Sequence, residues 1–211
     1  MRRREIGAVL GSVVVMAGSA MGQTVIYSNL TPDPDGFRVQ SFVDSPVADD
    51  LQVVGGGVLQ DITFGVINAP LFGGSASASG ATLSLAFGQI NPDDGLPDFA
   101  GAPFFTHTFT TEVLNPNTPS LQTVDLSSFN VVIPDNSLLM VSIFYDGFDF
   151  NHLKATAGAA TVGSSTDALR PYGAGDISRS GDLMYELRVV PGPGATVLVG
   201  LGGLFAVRRR R

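Results

Sequence analysis

The stretch VLQDITFGVIN, residues 58–68, decides the fold class. Ile62, Phe64 and Val66 recur at every second position, with Thr63 and a glycine between them. Successive side chains of a β-strand point to opposite faces, so this spacing places the three apolar side chains on one face of a sheet. The stretch therefore predicts a strand with one buried face.

Similar short apolar runs occur on both sides of this stretch, and turn-forming residues separate them. We expect strands at residues 24–29, 38–43, 47–54, 81–90, 105–114, 121–132, 138–145 and 183–190. Residues 70–80 and 91–103 are rich in Gly, Ser, Pro or Asp and predict loops. Helix formers are sparse between the strands. The prediction is an all-β fold, a single antiparallel β-sandwich domain at residues 23–189.

The composition excludes several classes of protein. The chain has no cysteine, which excludes disulfides, thiolate catalysis and zinc–thiolate sites. Residues 23–189 contain five basic and eighteen acidic residues, a formal charge of −13. So acidic a segment lacks the basic surface that nucleic acid attracts, and we expect no nucleic-acid partner.

Residues 1–22 have the layout of a secretory signal peptide. Three arginines at positions 2–4 form a positive n-region, and an apolar stretch and then small residues follow. We expect the export machinery to cut after Gly22, or alternatively after Ala20. A permanent N-terminal anchor is the other interpretation, although the apolar stretch is short for a bilayer span.

Residues 190–211 consist of three blocks. The first is a Pro/Gly break made of Val190, Pro191, Gly192, Pro193 and Gly194. Thirteen residues without a charge follow, and the third block is Arg208, Arg209, Arg210 and Arg211. A bilayer span needs about 20 apolar residues, so the middle block predicts a marginal anchor. Arginines stay on the cytoplasmic side of a membrane, which makes the third block a stop-transfer signal.

This layout resembles the PEP-CTERM sorting signal of exosortase-processed bacterial surface proteins. The matching motif is Val190-Pro191-Gly192-Pro193, in which Gly192 stands where the family has Glu. The resemblance implies that residues 190–211 form a short transmembrane sorting helix behind a cleavage motif. It also implies an exosortase-like processing enzyme as a partner, transient anchoring in the inner membrane, and delivery to the cell surface or extracellular matrix. A frayed tail or a last strand of the domain is the alternative.

A second resemblance lies in the predicted strand at residues 47–54. The run Val47-Ala48-Asp49-Asp50-Leu51 resembles the Val-Ala-Asp-Asp-Phe opening of jelly-roll-like sandwich domains that often precede such tails. Leu51 stands where Phe is usual. The resemblance implies a jelly-roll-like topology for the domain.

No residue pattern in the sequence predicts catalysis. His107 and His152 are the only histidines, and neither has a metal-binding spacing; no Gly-x-Ser-x-Gly elbow occurs. His107 alternates with two phenylalanines and either shares their face or interrupts it. Asp49 and Asp50 are adjacent on a predicted strand and point to opposite faces, so they cannot act together on one substrate. We interpret them as a charge pair at a strand edge or start, and we expect a protein that is not an enzyme.

Calcium is the strongest site hypothesis, because three loops are rich in oxygen ligands. The candidate ligands are Asp33, Asp35, Asp93, Asp94, Asp98, Asp146 and Asp149. Ca²⁺ takes six to eight oxygens, some of them backbone carbonyls, from flexible loops. None of the loops has the spacing of an EF-hand, and the same residue types form ordinary turns.

The sequence thus predicts an exported, non-enzymatic surface or extracellular-matrix protein. The alternative is a glycan- or calcium-binding adhesion module with the same routing and exopolysaccharide as its partner. For glycan binding, the candidates for an exposed aromatic platform are Tyr145, Phe148, Phe150 and Tyr172. The absence of tryptophan weakens that case.

Overall fold

Two antiparallel sheets pack around one core in the computed structural model. The structure describes residues 22–31, 38–39, 47–68, 80–112, 119–145, 152–157, 159–166, 169–171 and 181–192. Within these ranges the only helical element is a 3₁₀ turn at Ser127–Phe129. The prediction of an all-β fold is confirmed, and the arrangement of the sheets is sandwich-like.

The described residues form fourteen strands. In chain order they are β1 (Thr24–Ser28), β2 (Arg38–Val39), β3 (Val47–Gln52), β4 (Gly57–Asn68), β5 (Gly80–Ile90), β6 (Pro97–Phe99), β7 (Phe105–Thr110), β8 (Pro119–Asp125), β9 (Val132–Ile133), β10 (Leu138–Tyr145), β11 (His152–Ala157), β12 (Arg170–Pro171), β13 (Asp182–Leu183) and β14 (Tyr185–Val190).

The first sheet is built around the long strand β4. Strands β14 and β11 pair along one edge of β4, and β8 and β9 pair along the other. Strand β1 pairs with β14, while β2 and β13 pair with β11. The stretch at residues 58–68 therefore forms the predicted strand, and Ile62, Phe64 and Val66 are buried as expected.

The second sheet is built around β10 and β5. Strand β3 lies between β12 and β10, and β10 pairs with β5 on its other edge. Strands β6 and β7 continue the sheet beyond β5. Because each strand alternates, one face of this sheet points to the first sheet and the other points outward.

The core fills the space between the two inner faces. Leu83 and Leu85 of β5, Val141 and Ile143 of β10, and Leu187 of β14 are all buried in it. Burying an aliphatic side chain of this size contributes about 1.5–3 kcal/mol. Since the chain has no cysteine to cross-link it, this core and the sheet hydrogen bonds carry the stability of the fold.

Two sequence predictions about the elements are wrong. The strand expected at residues 121–132 is interrupted, because Asp125 Oδ1 accepts the N–H of Ser127 at 2.9 Å and Asn130 is left-handed with φ of 52°. The loop expected at residues 91–103 contains the short strand β6. In both places a local turn or pairing overrides the pattern of residue types.

Candidate functional site

Strand β3 carries two buried carboxylates on opposite faces of the second sheet. Val47, Leu51 and Val53 belong to the core, so Asp49, on the same face, points inward and Asp50 points outward. The predicted opposite orientation is confirmed. The interpretation as a charge pair at a strand edge or start is wrong, because Asp49 is 0% and Asp50 1% exposed and β3 is paired on both sides.

Asp49 joins the two sheets through its carboxyl group. Its Oδ2 accepts the N–H of Leu183, in the first sheet, at 2.7 Å, and its Oδ1 accepts the N–H of Asp50 at 3.0 Å. Burial raises the pKa of Asp49 well above its usual range, and Asp182 and Asp50 raise it further, whereas the two N–H donors lower it. The carboxyl group thus acts as a buried polar link in an apolar core.

Two tyrosines share this interior with Asp49. Burial raises the pKa of the Tyr27 and Tyr185 phenols, and the charge of Asp49 raises both further. We call Asp49, Tyr27 and Tyr185 the inner cluster. All three residues are at most 1% exposed, so solvent and ligands do not reach them, and the cluster has a structural role.

Asp50, on the outer face, holds a neighbouring segment in place. Its Oδ2 accepts the N–H of Thr166 at 3.0 Å, and its Oδ1 accepts the Thr166 hydroxyl at 2.7 Å. Burial raises the pKa of Asp50, and the two bonds from Thr166 lower it. A carboxylate with two donors from one residue fixes both the backbone and the side chain of that residue.

The bridging segment, residues 159–166, connects the edges of the two sheets. The N–H of Ser28, in β1, donates to the carbonyl of Val162 at 3.0 Å. The N–H of Gln52, in β3, donates to the carbonyl of Ser164 at 2.7 Å. These bonds and the contact with Asp50 give the segment a defined path over the side of the sandwich.

A cavity of about 400 Å³ opens where the bridging segment meets the outer face of the second sheet. We call it the Asp50 pocket. Its polar lining consists of Asp50, Gln52, Asn136, Ser164, Ser165 and Thr166, and its apolar lining of Ile90, Pro97 and Leu138. Among these described lining residues there is no lysine, arginine or aromatic side chain, so the described lining has one acidic group and no cationic one.

The hydrogen bonds around the pocket determine which polar atoms still face a ligand. Gln52 Nε2 donates to the carbonyls of Asn136 and Ser137 at 2.8 and 3.3 Å, which leaves its Oε1 as an acceptor. The Thr166 hydroxyl donates to Asp50, which leaves oxygen lone pairs as acceptors. Gln52 and Thr166 therefore offer acceptors to a ligand that carries donors.

Two of the candidate calcium ligands that the structure describes accept backbone N–H groups in turns. Asp94 Oδ1 accepts the N–H of Leu96 at 3.0 Å, and Asp98 Oδ1 accepts the N–H of Phe99 at 2.7 Å. Asp93 is exposed. Among the residues that the structure describes, no three Asp, Glu, His or Cys side chains lie close enough together to hold a metal ion. The other candidates, Asp33, Asp35, Asp146 and Asp149, lie outside the described residues.

Tyr145 cannot belong to the proposed aromatic platform, because it is fully buried in the core. Its inclusion in an exposed platform is wrong: strand β10 alternates, and Tyr145 falls on the inner face with Val141 and Ile143. Phe148, Phe150 and Tyr172 lie outside the described residues.

His107 lies in a row of aromatic rings on β7. Its ring centroid is 6.4 Å from that of Phe105 and 6.3 Å from that of Phe109, so it shares the face of both, which was one of the two expectations. Phe129 packs against it at 4.7 Å. This environment is typical of a packing histidine. Strand β11 begins at His152, the other histidine.

Only the start of the predicted sorting segment lies within the described residues. Val190 ends β14, and Pro191 and Gly192 follow it. Pro193, Gly194 and Arg208 to Arg211 lie outside the described residues, as do residues 1–21 of the predicted signal peptide. In the part of the chain that the structure describes, no helix has the length and apolar character to span a bilayer.

Sequence reasoning missed the Asp50 pocket and the bridging segment. Residues 159–166 have no alternation and come from a region that is rich in Gly and Ser, so their pattern gives no partner. The sequence placed Asp49 and Asp50 on opposite faces, but the residue that covers Asp50 is 116 positions away in the chain. The signal in the sequence that could have drawn attention to the pocket is the pair Asp49 and Asp50, which stands in an apolar run at residues 47–51.

Comparison of the chain with protein-family models, with curated proteins and with solved structures found no match.

Proposed function

We propose that this chain is an exported, non-enzymatic protein of the cell surface or extracellular matrix. The observation that carries the proposal is the order of blocks in residues 190–211: a Pro/Gly break, thirteen uncharged residues, and Arg208 to Arg211. The apolar block prefers the bilayer, and the arginines hold its end on the cytoplasmic side. The domain before it is a single jelly-roll-like sandwich that the tail sorts.

In this proposal the export machinery recognises residues 1–22 and releases the chain at Gln23 or Met21. The inner membrane then holds the protein transiently by its tail. An exosortase-type enzyme cuts near Pro191 to Gly194, and the domain is delivered to the surface or the extracellular matrix. A formal charge of −13 on residues 23–189 suits a soluble domain outside the cell.

The described end of the domain is compatible with cleavage there. Strand β14 ends at Val190, and the backbone of Val190 and Pro191 packs closely against Gly57. Gly192, in contrast, has none of the described residues within 4 Å of the position that a Cβ would take. A cut at or beyond Gly192 leaves β14, a central strand of the first sheet, intact.

An epitope tag after Arg211 tests the proposal. We expect the wild-type surface protein to lack the tag and mass spectrometry to find its last residue within residues 190–194. Replacing both Pro191 and Pro193 with Ala should leave the protein anchored with its tag. Replacing the four arginines with Gln should release protein that still carries the tag. A tag that persists on wild-type surface protein contradicts cleavage.

A second candidate function is an adhesion module with the same routing, which binds exopolysaccharide or calcium. The Asp50 pocket favours the glycan form, because it offers several hydrogen-bonding groups beside an apolar wall, as ligand pockets do. The calcium form depends on the three acidic loops. Binding of the purified protein to extracted exopolysaccharide, with and without calcium, distinguishes this function from a purely structural one.

A further inference from the structure

We infer that the Asp50 pocket binds one sugar unit that is neutral or carries an amine, and that it rejects acidic sugars. The inference rests on the glycan form of the second candidate function and names the class of sugar that its pocket takes; it does not depend on the sorting of the tail, because it follows from the geometry of the described residues. A pocket of about 400 Å³ has the size of a small-molecule site, since such sites measure about 300–1,000 Å³.

The polar lining selects for a ligand with donors. Gln52 and Thr166 each keep an acceptor after their internal bonds are counted, whereas Asp50 is 1% exposed and both of its carboxylate oxygens accept bonds from Thr166. Asn136 accepts the N–H of Gly55 through its Oδ1 at 3.4 Å, so its amide nitrogen is its remaining group. Hydroxyl groups both donate and accept, and an ammonium group donates three times. Hydroxyls and amines therefore match this lining.

The charge of Asp50 disfavours anions. Asp50 is buried, and among the described lining residues no cationic side chain balances it. A carboxylate ligand would place two like charges close together in a medium of reduced dielectric, which is unfavourable. An ammonium ligand gains from the same arrangement. Asp50 acts here through its charge and through its hold on Thr166, so it is a positioning residue.

The apolar wall supplies the other half of the recognition. Leu138 and the 57% exposed Ile90 lie on the outer face of the second sheet, beside Pro97. A sugar ring has an apolar C–H face and a polar rim, so it can contact this wall and the hydrogen-bonding groups together. A linear amine or an inorganic cation lacks the C–H face.

The test uses the full-length chain in a detergent without a sugar headgroup, and ligand-observed NMR with three probes. These are methyl α-glucoside, glucosamine and glucuronate. We expect glucosamine to bind about tenfold more tightly than methyl glucoside, and glucuronate not to bind. Absence of binding by both methyl glucoside and glucosamine, or equal binding of glucuronate, overturns the inference.

Variants locate the binding in the Asp50 pocket. Asp50→Asn removes the charge and should reduce the preference for glucosamine to less than about threefold. Ile90→Ser removes apolar surface from the wall and should weaken binding of both sugars about threefold or more, and it keeps the test decisive if Asp50→Asn fails to fold. Thr108→Ala, exposed on β7 and outside the pocket lining, is the matched control. Unchanged binding in Ile90→Ser, or an equal loss in Thr108→Ala, overturns the assignment.

Discussion

Burying a carboxyl group between two sheets is unfavourable unless hydrogen-bond donors compensate for the lost water. Asp49 has two such donors, the N–H groups of Leu183 and Asp50. Even so, burial raises its pKa well above the usual range. Sequence reasoning assigned Asp49 and Asp50 to opposite faces correctly but could not predict what covers each face, because that depends on residues more than a hundred positions away.

The raised pKa of Asp49 makes stability depend on pH. The unfolded chain releases this proton near pH 4, whereas the folded protein retains it to higher pH. The stabilisation is therefore complete below the unfolded pKa and is lost as the pH rises through the folded pKa. Asp49→Asn does not titrate. We expect the wild type to lose up to about 1.4 kcal/mol per pH unit relative to this variant above pH 4, measured by urea unfolding. If the difference in unfolding free energy between the wild type and Asp49→Asn is the same at every pH, the prediction is wrong.

Phe64 tests the stretch from which the fold was predicted. It is 1% exposed at the centre of β4 and packs edge-on against Phe109, with ring centroids 5.8 Å apart. Phe64→Ala removes buried surface and leaves a cavity, so we expect a loss of about 3–5 kcal/mol in the free energy of unfolding. Val132→Ala, at a residue that is 63% exposed, is the control and should change it by about 0.5 kcal/mol or less. Equal losses would show that β4 does not anchor the core.

At the scale of elements, alternation located the strands that bury one face. The predicted strand at residues 138–145 has the same bounds as β10, and residues 81–90 differ from β5 by one residue. Alternation did not predict the end of a strand where a single side-chain hydrogen bond ends it, as at Asp125. It also did not place segments whose residues do not alternate. The bridging segment is the clearest case, because its position follows from pairing with β1 and β3 rather than from its own residues.

Gly163 shows how tightly the bridging segment is held. Its φ of 76° is left-handed, and a Cβ there would lie 2.5 Å from the carbonyl oxygen of Gln52 and 2.9 Å from the Tyr27 ring. Gly95 has nearly the same φ, 71°, with no atom within 4 Å of its Cβ position. Gly95→Ala should therefore cost only the backbone strain, about 1 kcal/mol, whereas Gly163→Ala should cost about 1–3 kcal/mol more. If chemical unfolding shows the same loss of stability for both variants, the bridging segment shifts to accommodate the added methyl group and is not tightly held.

At the scale of the whole molecule, the all-β class and the absence of disulfides followed from composition and period. The sandwich-like arrangement was predicted as well, whereas the order of the strands, the inner cluster and the Asp50 pocket were not, since each joins residues that are far apart in the chain. The formal charge of −13 on residues 23–189 is a further property of the whole domain. It attracts cations without specifying a site, so a calcium site must be separated from general screening.

We predict that calcium stabilises the folded domain, since a ligand that binds only the folded state must stabilise it. The three acidic loops supply seven candidate aspartates, of which Asp93, Asp94 and Asp98 lie in the described residues. If extracellular-type affinity applies, 10 mM Ca²⁺ is about 10–100 times Kd and stabilises the folded protein by about 1.4–2.7 kcal/mol. We expect Tm to rise by roughly 3–10 °C relative to chelator. Mg²⁺ at equal ionic strength is the control, because it screens the same charge but demands a stricter geometry. The same Tm in Ca²⁺, Mg²⁺ and chelator removes calcium from the proposed function, and an equal rise with both ions assigns the effect to screening of the acidic domain.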